Sequence, residues 1–230
     1  MTALRSLLFL VWFLTVTTVL ALLFLPVLIL PRGATVWLAR TWSRATFYGL
    51  KLFAGVDWEI RGLPPTGPVL VAAKHMSMWD TLALYLALDA PAIVLKRSLL
   101  YIPFYGWFLW KAAAVPIDRG AGARALRKMQ NAAQEVLADD RPILIFPEGT
   151  RKKPGAAPDY KPGVAGLYTM LDVACVPVAL NSGVFWTGFR KFPGTIVLEF
   201  LEPIPPGLKR AAFMAALESR IETATNKLLS

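Results

Sequence analysis

Apolar residues are distributed along the chain in three regimes. From Leu7 to Leu30 they form a run of 24 positions with no charged residue. About 20 apolar residues cross a bilayer core, so this run predicts a membrane helix. Pro26 limits its unbroken part to Leu7–Leu25. The length of the run, and the lack of a small-x-small site after it, favour a retained anchor over a cleaved signal. From about Ala34 to Ala54 the pattern turns helical. Arg40, Arg44 and Lys51 share one side, and Leu38, Trp42, Ala45 and Leu52 the other, with Phe47 out of place on the basic side. With Trp37, Trp42 and Tyr48, residues suited to the water–lipid boundary, this predicts an interfacial helix with a basic face. The two helices also fit a re-entrant hairpin that never crosses the bilayer.

From Val56 onward, short β-rich runs alternate with longer helical ones. Strands are expected at Asp57–Ile60, Val69–Ala73, Ala92–Leu95, Ala114–Ile117, Ile143–Phe146, Cys175–Leu180 and Thr195–Leu201. Helices are expected at Trp79–Leu88, Gly122–Leu137, Gly163–Leu171 and Leu208–Leu228. Leu126, Met129, Ala133 and Val136/Leu137 line one face of the second of these, and Phe213, Leu217, Ile221, Ala224 and Leu228 one face of the last. Several strand runs are apolar throughout, as in a sheet covered on both faces. The expected fold is therefore α/β, a layered sheet of about seven strands flanked by helices, preceded by an N-terminal membrane-associated two-helix segment. Residues 1–55 form that anchoring segment and residues 56–230 a single further domain.

Composition narrows the function. Hydrophobic residues make up 56% of the chain and charged residues 17%, against roughly 45–50% and 25% in average soluble domains. Disorder is excluded, and a freely soluble protein is disfavoured. The net charge is +10, which suits anionic lipid or a phosphorylated substrate better than nucleic acid in so apolar a chain. Only Arg5 precedes the apolar run, while Arg32, Arg40, Arg44 and Lys51 follow it. The positive-inside rule therefore places the bulk of the chain on the cytoplasmic side of an inner membrane. A single cysteine, Cys175, excludes an intramolecular disulfide, and a single histidine, His75, excludes a multi-histidine metal site.

Three segments carry candidate chemistry. His75 lies in KHMSMWD, just after the apolar run VLVAA, and Asp80 follows five residues later. Five positions on one helix are about 140° apart, so the two side chains meet only if the helix begins between them. Ser77-x-x-Asp80 is such a start, a capping-box pattern. Asp80 thus fits a helix cap as well as the carboxylate of a His–Asp dyad, in which it would fix the imidazole tautomer for general-base work. The second segment is ILIFPEGTRKK, where a strand ends in Phe146-Pro147-Glu148-Gly149-Thr150-Arg151. It fits a plain turn with a solvated basic tail, or a phosphate site built from backbone amides, a hydroxyl and an arginine fork. In the third, Ile117-Asp118-Arg119-Gly120 ends another apolar strand. Arg119 and Arg151 could converge beyond the carboxyl ends of their strands, where such sheets bind ligands.

These residues resemble the motifs of the glycerophospholipid acyltransferase family. His75-x-x-x-x-Asp80 is similar to the first motif, Ile117–Gly120 to the end of the second, and Val176-Pro177-Val178 to the fourth. Phe146–Arg151 is identical to the third. Lys74 stands where many members have asparagine. The resemblance runs from about Leu70 to Leu180 and is closest to bacterial members that acylate lysophosphatidate. It implies transfer of an acyl chain from a thioester, acyl-CoA or acyl-acyl carrier protein, to the free hydroxyl of lysophosphatidate, giving phosphatidate. It assigns His75 as base, Asp80 as its orienting partner, and Arg119, Glu148, Gly149, Thr150 and Arg151 as acceptor-binding residues. Glu148 is expected to hold an arginine or a glycerol hydroxyl, since its charge repels phosphate. No metal or cofactor is implied. Another lysolipid acceptor, such as lyso-ornithine lipid, would use the same dyad, and a non-catalytic lipid-binding module would share the helix pair and charge. A lipase-like hydrolase is disfavoured because no G-x-S-x-G elbow is present.

Overall fold

The computed structural model describes residues 2–117 and 122–230. Its centre is a sheet of seven strands: β1 (Val56–Arg61), β2 (Leu70–Ala73), β3 (Ala92–Lys96), β4 (Val115–Ile117), β5 (Ile143–Ile145), β6 (Cys175–Leu180) and β9 (Gly194–Phe200). The order is β1-β9-β6-β2-β5-β3-β4, parallel throughout except for β6 against β9. A two-stranded ribbon, β7 (Trp186–Thr187) with β8 (Arg190–Lys191), projects beside it. The helices are α1 (Thr2–Leu23), α2 (Arg32–Gly49), α3 (Met78–Ala87), α4 (Tyr105–Lys111), α5 (Gly122–Ala138), α6 (Gly163–Leu171), α7 (Ser182–Phe185) and α8 (Arg210–Leu229).

The seven expected strands and four expected domain helices are all present, with ends moved by one or two residues. The central strands are buried at every position, and alternate residues feed two cores. Val71, Ala73, Leu144, Val176 and Val178 face α3 and the N-terminal helices, packing on Trp79, Leu82 and Phe47. Leu70, Ala72, Ile143, Ile145 and Cys175 face the other way, packing on Met129 of α5, Leu167 and Tyr168 of α6, and Phe213, Leu217 and Ile221 of α8. Burying both faces is what made these runs apolar rather than alternating.

The N-terminal helices are continuous with the first of these cores, which runs from Phe9 and Phe47 through Leu50 and Ala54 into Val56. A π-helical turn, Leu50–Ala54, joins α2 to β1, and Gly55 ends it in the left-handed region at φ 70°. A side chain there would be strained and would meet Arg5, whose Nη2 lies 2.5 Å from the place of a Cβ.

The basic face expected on α2 is in part turned to the protein. Arg40 donates to Leu88 O at 3.0 Å, and Lys51 pairs with Asp57 at 2.7 Å. Phe47, which broke the pattern, stacks on Trp79 with centroids 5.4 Å apart. Arg44 is exposed.

Helix α1 lies along the protein for its whole length. Near its start Arg5 donates to Phe53 O, and Ser6 Oγ accepts the Lys191 N–H at 2.9 Å. Phe9 meets Trp186 edge-on. Trp12 donates to Ala45 O, and Thr17 Oγ1 accepts from Trp42. Just beyond its end Phe24 packs on Trp37. The opposite face, with Leu4, Leu7, Leu8, Val11, Leu14, Val19 and Leu22, is exposed. A 3-10 turn, Leu25–Ile29, then leads into α2.

Candidate active site

Strands β2 and β5 are parallel neighbours, with Leu70 against Ile143, so their carboxyl ends open side by side. The chain leaving β2 carries Lys74 and His75, and the chain leaving β5 carries Phe146–Arg151. The His75 ring stacks on Phe146 with centroids 3.9 Å apart, and the His75 carbonyl accepts the Lys152 N–H at 2.8 Å. Two segments about 70 residues apart in sequence are thus fastened together by the sheet register.

Helix α3 begins between His75 and Asp80, as the dyad requires. Ser77 is its N-cap, with its side chain accepting the Trp79 N–H, and Asp80 closes the capping box. The same carboxylate holds the imidazole, with Asp80 Oδ2 3.0 Å from His75 Nδ1. Asp80 therefore both caps α3 and hydrogen-bonds the imidazole. Its Oδ2 also accepts the peptide N–H groups of Met76 at 2.7 Å and Ser77 at 2.8 Å. An oxygen already serving as acceptor to two N–H groups requires the proton on Nδ1, which leaves the Nε2 lone pair free. Asp80 is fully buried, while the His75 side chain is 12% exposed, so the imidazole opens outward from a sealed support.

Ser182 is a member of this support that sequence reasoning missed. It opens α7 after β6 and donates to Asp80 Oδ1, which also accepts from Ser77 Oγ; the two hydroxyls lie 2.8 Å apart. It falls 102 residues from Asp80 with no motif around it, so only the sheet order reveals it.

Glu148 departs from expectation. It holds a lysine in place of an arginine, and its Oε2 has no hydrogen-bond partner among the described residues. Its Oε1 accepts from Lys74 Nζ at 2.9 Å, and the residue is 1% exposed. Lys74 also donates to Glu222 Oε1 of α8 at 2.7 Å, an oxygen that accepts from Tyr160 OH as well. Burial pushes the Glu148 carboxyl above its ordinary pKa, and Lys74 draws it partly back. Burial, and then the bond to Glu222, pushes the Tyr160 hydroxyl far up, so it remains a donor. A cleft of about 580 Å³ flanks this network, lined by Lys74, Met76, Pro158, Met214 and Glu222 but not by His75.

The remaining expected residues fall as follows. Gly149 turns the chain at φ 66°, and Thr150 and Arg151 are exposed. Lys152 pairs with Asp159 at 3.6 Å, so it is not simply solvated. Arg119 lies outside the described residues; β4, which ends at Ile117, is two strands from β5 in the sheet order. Among the described residues, no group of three His, Cys, Asp or Glu is arranged to hold a metal ion.

Comparison with known proteins places this geometry. The chain is 35% identical over 164 residues to a 1-acyl-sn-glycerol-3-phosphate acyltransferase of Pseudomonas aeruginosa. That alignment covers 70% of this chain and 64% of the relative, so it spans just under two thirds of that protein. It is 32% identical over 200 residues to 1-acyl-sn-glycerol-3-phosphate acyltransferase alpha of Ovis aries, covering 82% of this chain and 69% of that one. The crystal structure of the 1-acyl-sn-glycerophosphate (LPA) acyltransferase of Thermotoga maritima superimposes with a TM-score of 0.80, covering 100% of this chain and 98% of the other at 22% identity, so the fold is shared. The family model described as Acyltransferase matches residues 58–181, from β1 past the end of β6, with the dyad and the Phe146–Arg151 turn inside it. By that match and those identities, the chain belongs to the acyltransferase family.

Proposed function

We propose that this chain transfers an acyl chain from an acyl thioester to the sn-2 hydroxyl of lysophosphatidate, yielding phosphatidate. The observation that carries the reading is the His75–Asp80 pair at 3.0 Å, open to solvent through the imidazole and fastened to the Phe146–Arg151 turn. His75 Nε2 takes the proton of the acceptor hydroxyl as its oxygen bonds to the thioester carbonyl carbon. The carbon–sulfur bond then breaks, and the leaving thiolate takes the proton back from the imidazolium. Asp80 stabilises that imidazolium and keeps the ring aligned. No covalent enzyme intermediate is needed.

Arg151 and Arg119 receive the acceptor phosphate, with Gly149 and Thr150 against the glycerol. Arginine suits this task because its planar fork matches two phosphate oxygens. Glu148, buried on Lys74, contributes by holding the turn.

Residues 1–55 serve as the membrane anchor, on the cytoplasmic face of an inner membrane. Helix α1 is long and apolar enough to cross. Its contacts with the protein from Arg5 to Phe24 favour a helix lying in one leaflet, since a perpendicular span would carry those partners into the hydrocarbon.

Purified protein in mixed micelles, offered acyl-CoA or acyl-acyl carrier protein with lysophosphatidate, tests the reading by mass analysis of the lipid products. Phosphatidate that requires both donor and acceptor is expected. Acylation of lyso-ornithine lipid in place of lysophosphatidate overturns the acceptor, and thiol release without an acceptor overturns the transferase.

A further inference from the structure

At the opposite ends of the strands from His75, two arginines grip one turn of chain. Arg40 of α2 donates through Nη2 to Leu88 O at 3.0 Å and to Asp89 Oδ1 at 3.2 Å. Arg141, just before β5, donates through Nε to Ala90 O at 2.8 Å and through Nη2 to Ala112 O at 3.1 Å. The two guanidiniums therefore hold consecutive residues, 88 to 90. Ala90 sits there at φ 44°, a left-handed conformation uncommon for alanine. A third arginine, Arg32 at the start of α2, pairs with Asp139 Oδ2 at 2.8 Å, two residues before Arg141.

Tyr85, near the end of α3 and three residues before Leu88, completes the cluster. Burial pushes its hydroxyl pKa up, and the charges of Arg141, Arg40 and Arg32 pull it partly back.

Three side-chain atoms here have no partner among the described residues: Arg40 Nε, Tyr85 OH and Arg141 Nη1. Arg141 is 4% and Tyr85 7% exposed. All three atoms donate hydrogen bonds, and buried donors are nearly always matched by acceptors. Donors left over on cations call for an anion with several oxygens, and phosphate has that form. The carboxylates nearby do not supply it. Asp89 and Asp139 are 86% and 53% exposed and are engaged with Arg40 and Arg32.

The surroundings indicate where the phosphate comes from. Directly before Arg32 the chain exposes Ile29 at 85% and Leu30, and Trp37 of α2, packed on Phe24, is exposed as well. Arg32 thus follows directly on the exposed apolar end of the N-terminal hairpin, and basic residues flanking an apolar membrane segment meet anionic headgroups. The cluster is also separate from the dyad. Helix α3, ten residues or about 15 Å long, starts beside His75 and ends beside Tyr85.

We propose that Arg32, Arg40, Arg141 and Tyr85 form a second anion site that takes the phosphate group of an anionic phospholipid at the edge of the apolar hairpin. Nothing in the acyl-transfer chemistry requires these residues, so the site acts in seating the protein on its membrane.

The test uses the full chain in two arms. In the first, inorganic phosphate is titrated at constant ionic strength and thermal unfolding is followed. In the second, the protein is floated with phosphatidylcholine vesicles, with and without phosphatidylglycerol. Phosphatidylglycerol is an anionic phosphodiester that is neither the proposed acceptor nor the product. Phosphate is expected to raise the melting temperature above the chloride control, and phosphatidylglycerol to raise vesicle recovery. Tyr85→Phe, which keeps every charge and removes one unpartnered hydroxyl, is expected to weaken both responses about tenfold, the loss of one hydrogen bond to a charged group. Without phosphate its melting temperature should equal or exceed that of the wild type, which shows that it folds. Arg40→Gln should act in the same direction, and Arg151→Gln should leave both responses in place. Equal responses from Tyr85→Phe and wild type overturn the site, as does a response that only Arg151→Gln abolishes. A phosphate response with no Tyr85-dependent gain from phosphatidylglycerol overturns the lipid as its source.

Discussion

Lys74 Nζ lies 2.9 Å from Glu148 Oε1, and the two side chains, 2% and 0% exposed, are shut away from solvent together. They come from adjacent strand ends, one residue before the histidine of the first motif and inside the turn of the third. Removing one partner of a buried pair strands the other charge, which costs about 3–5 kcal/mol. Lys74→Met is expected to lower unfolding stability by that order in denaturant titration, and acyl transfer with it. Adding Glu148→Gln should recover part of the loss, because the fully buried carboxylate is gone, while Glu222, partly exposed, keeps Tyr160. A double variant no more stable than Lys74→Met would show that the two residues do not act as a pair.

His75→Ala should separate chemistry from folding. The imidazole meets Asp80 Oδ2 and stacks on Phe146, but without it Asp80 keeps the Met76 and Ser77 amides and the His75 carbonyl keeps the Lys152 N–H. A fall of about 10²–10⁴ in kcat is expected, with a nearly unchanged melting temperature. Retention of most of the wild-type kcat would remove His75 as the base.

Asp80→Asn should fail in both respects. The amide nitrogen replaces an oxygen that accepts from neighbouring donors, so the α3 cap weakens by about 1 kcal/mol and the imidazole loses its orientation. Calorimetry and steady-state kinetics on one preparation should both register the change. A lower melting temperature with intact kcat would reduce Asp80 to its capping role.

Arg151→Lys keeps the charge and loses the fork. With charge-assisted bonds worth about 1.5–3 kcal/mol, kcat/KM for lysophosphatidate should fall roughly tenfold to a hundredfold through acceptor KM, while donor KM moves little. Lys153→Ala is the control. Lys152→Ala is a poorer one, because Lys152 also reaches Asp159. A larger rise in acceptor KM for Lys153→Ala than for Arg151→Lys would put the phosphate elsewhere.

The orientation of α1 is open to chemical labelling. Single cysteines in place of Ala3 and Leu30, in a Cys175→Ser background, mark positions on either side of the apolar helix. A helix lying in one leaflet exposes both to a membrane-impermeant reagent from the same side. Labelling from opposite sides would show a span.

The legibility of this chain in its sequence follows from how each part is buried. The seven strands could be read because β2, β5 and β6 are sealed on both faces, and sealed strands are written as apolar runs between turn residues. The segment 97–111 could not, since Tyr101, Trp107 and Trp110 are aromatic but exposed, and no periodic pattern announces its helix. The ribbon of β7 and β8 is two residues a side, too short for alternation to register. In the site, His75, Asp80 and the Phe146–Arg151 turn were legible because local spacing carries them. Ser182 and Glu222 were not, because they reach the site only through the positions of β6 and α8. Arg40 was read only as part of the basic face of an interfacial helix, since the sequence shows which side of a helix is basic but not that a carbonyl such as Leu88 O waits there.

The pairing of β1 with β9 also orders events during synthesis. Val56 lies opposite Gly194, so the first strand waits roughly 140 residues for its neighbour. At about 5–20 residues per second, that wait lasts roughly seven to thirty seconds. Throughout it the N-terminal helices are complete, while Trp186 and Ile196, which cover Phe9 and Phe47 in the finished core, have not been made. A nascent chain with that much uncovered hydrocarbon needs a temporary host, and the bilayer is the one its own first helix seeks. On the proposed function, membrane arrival would precede closure of the domain that carries His75 and Asp80, and the lipid surface would serve first as a folding aid and only later as a source of substrate.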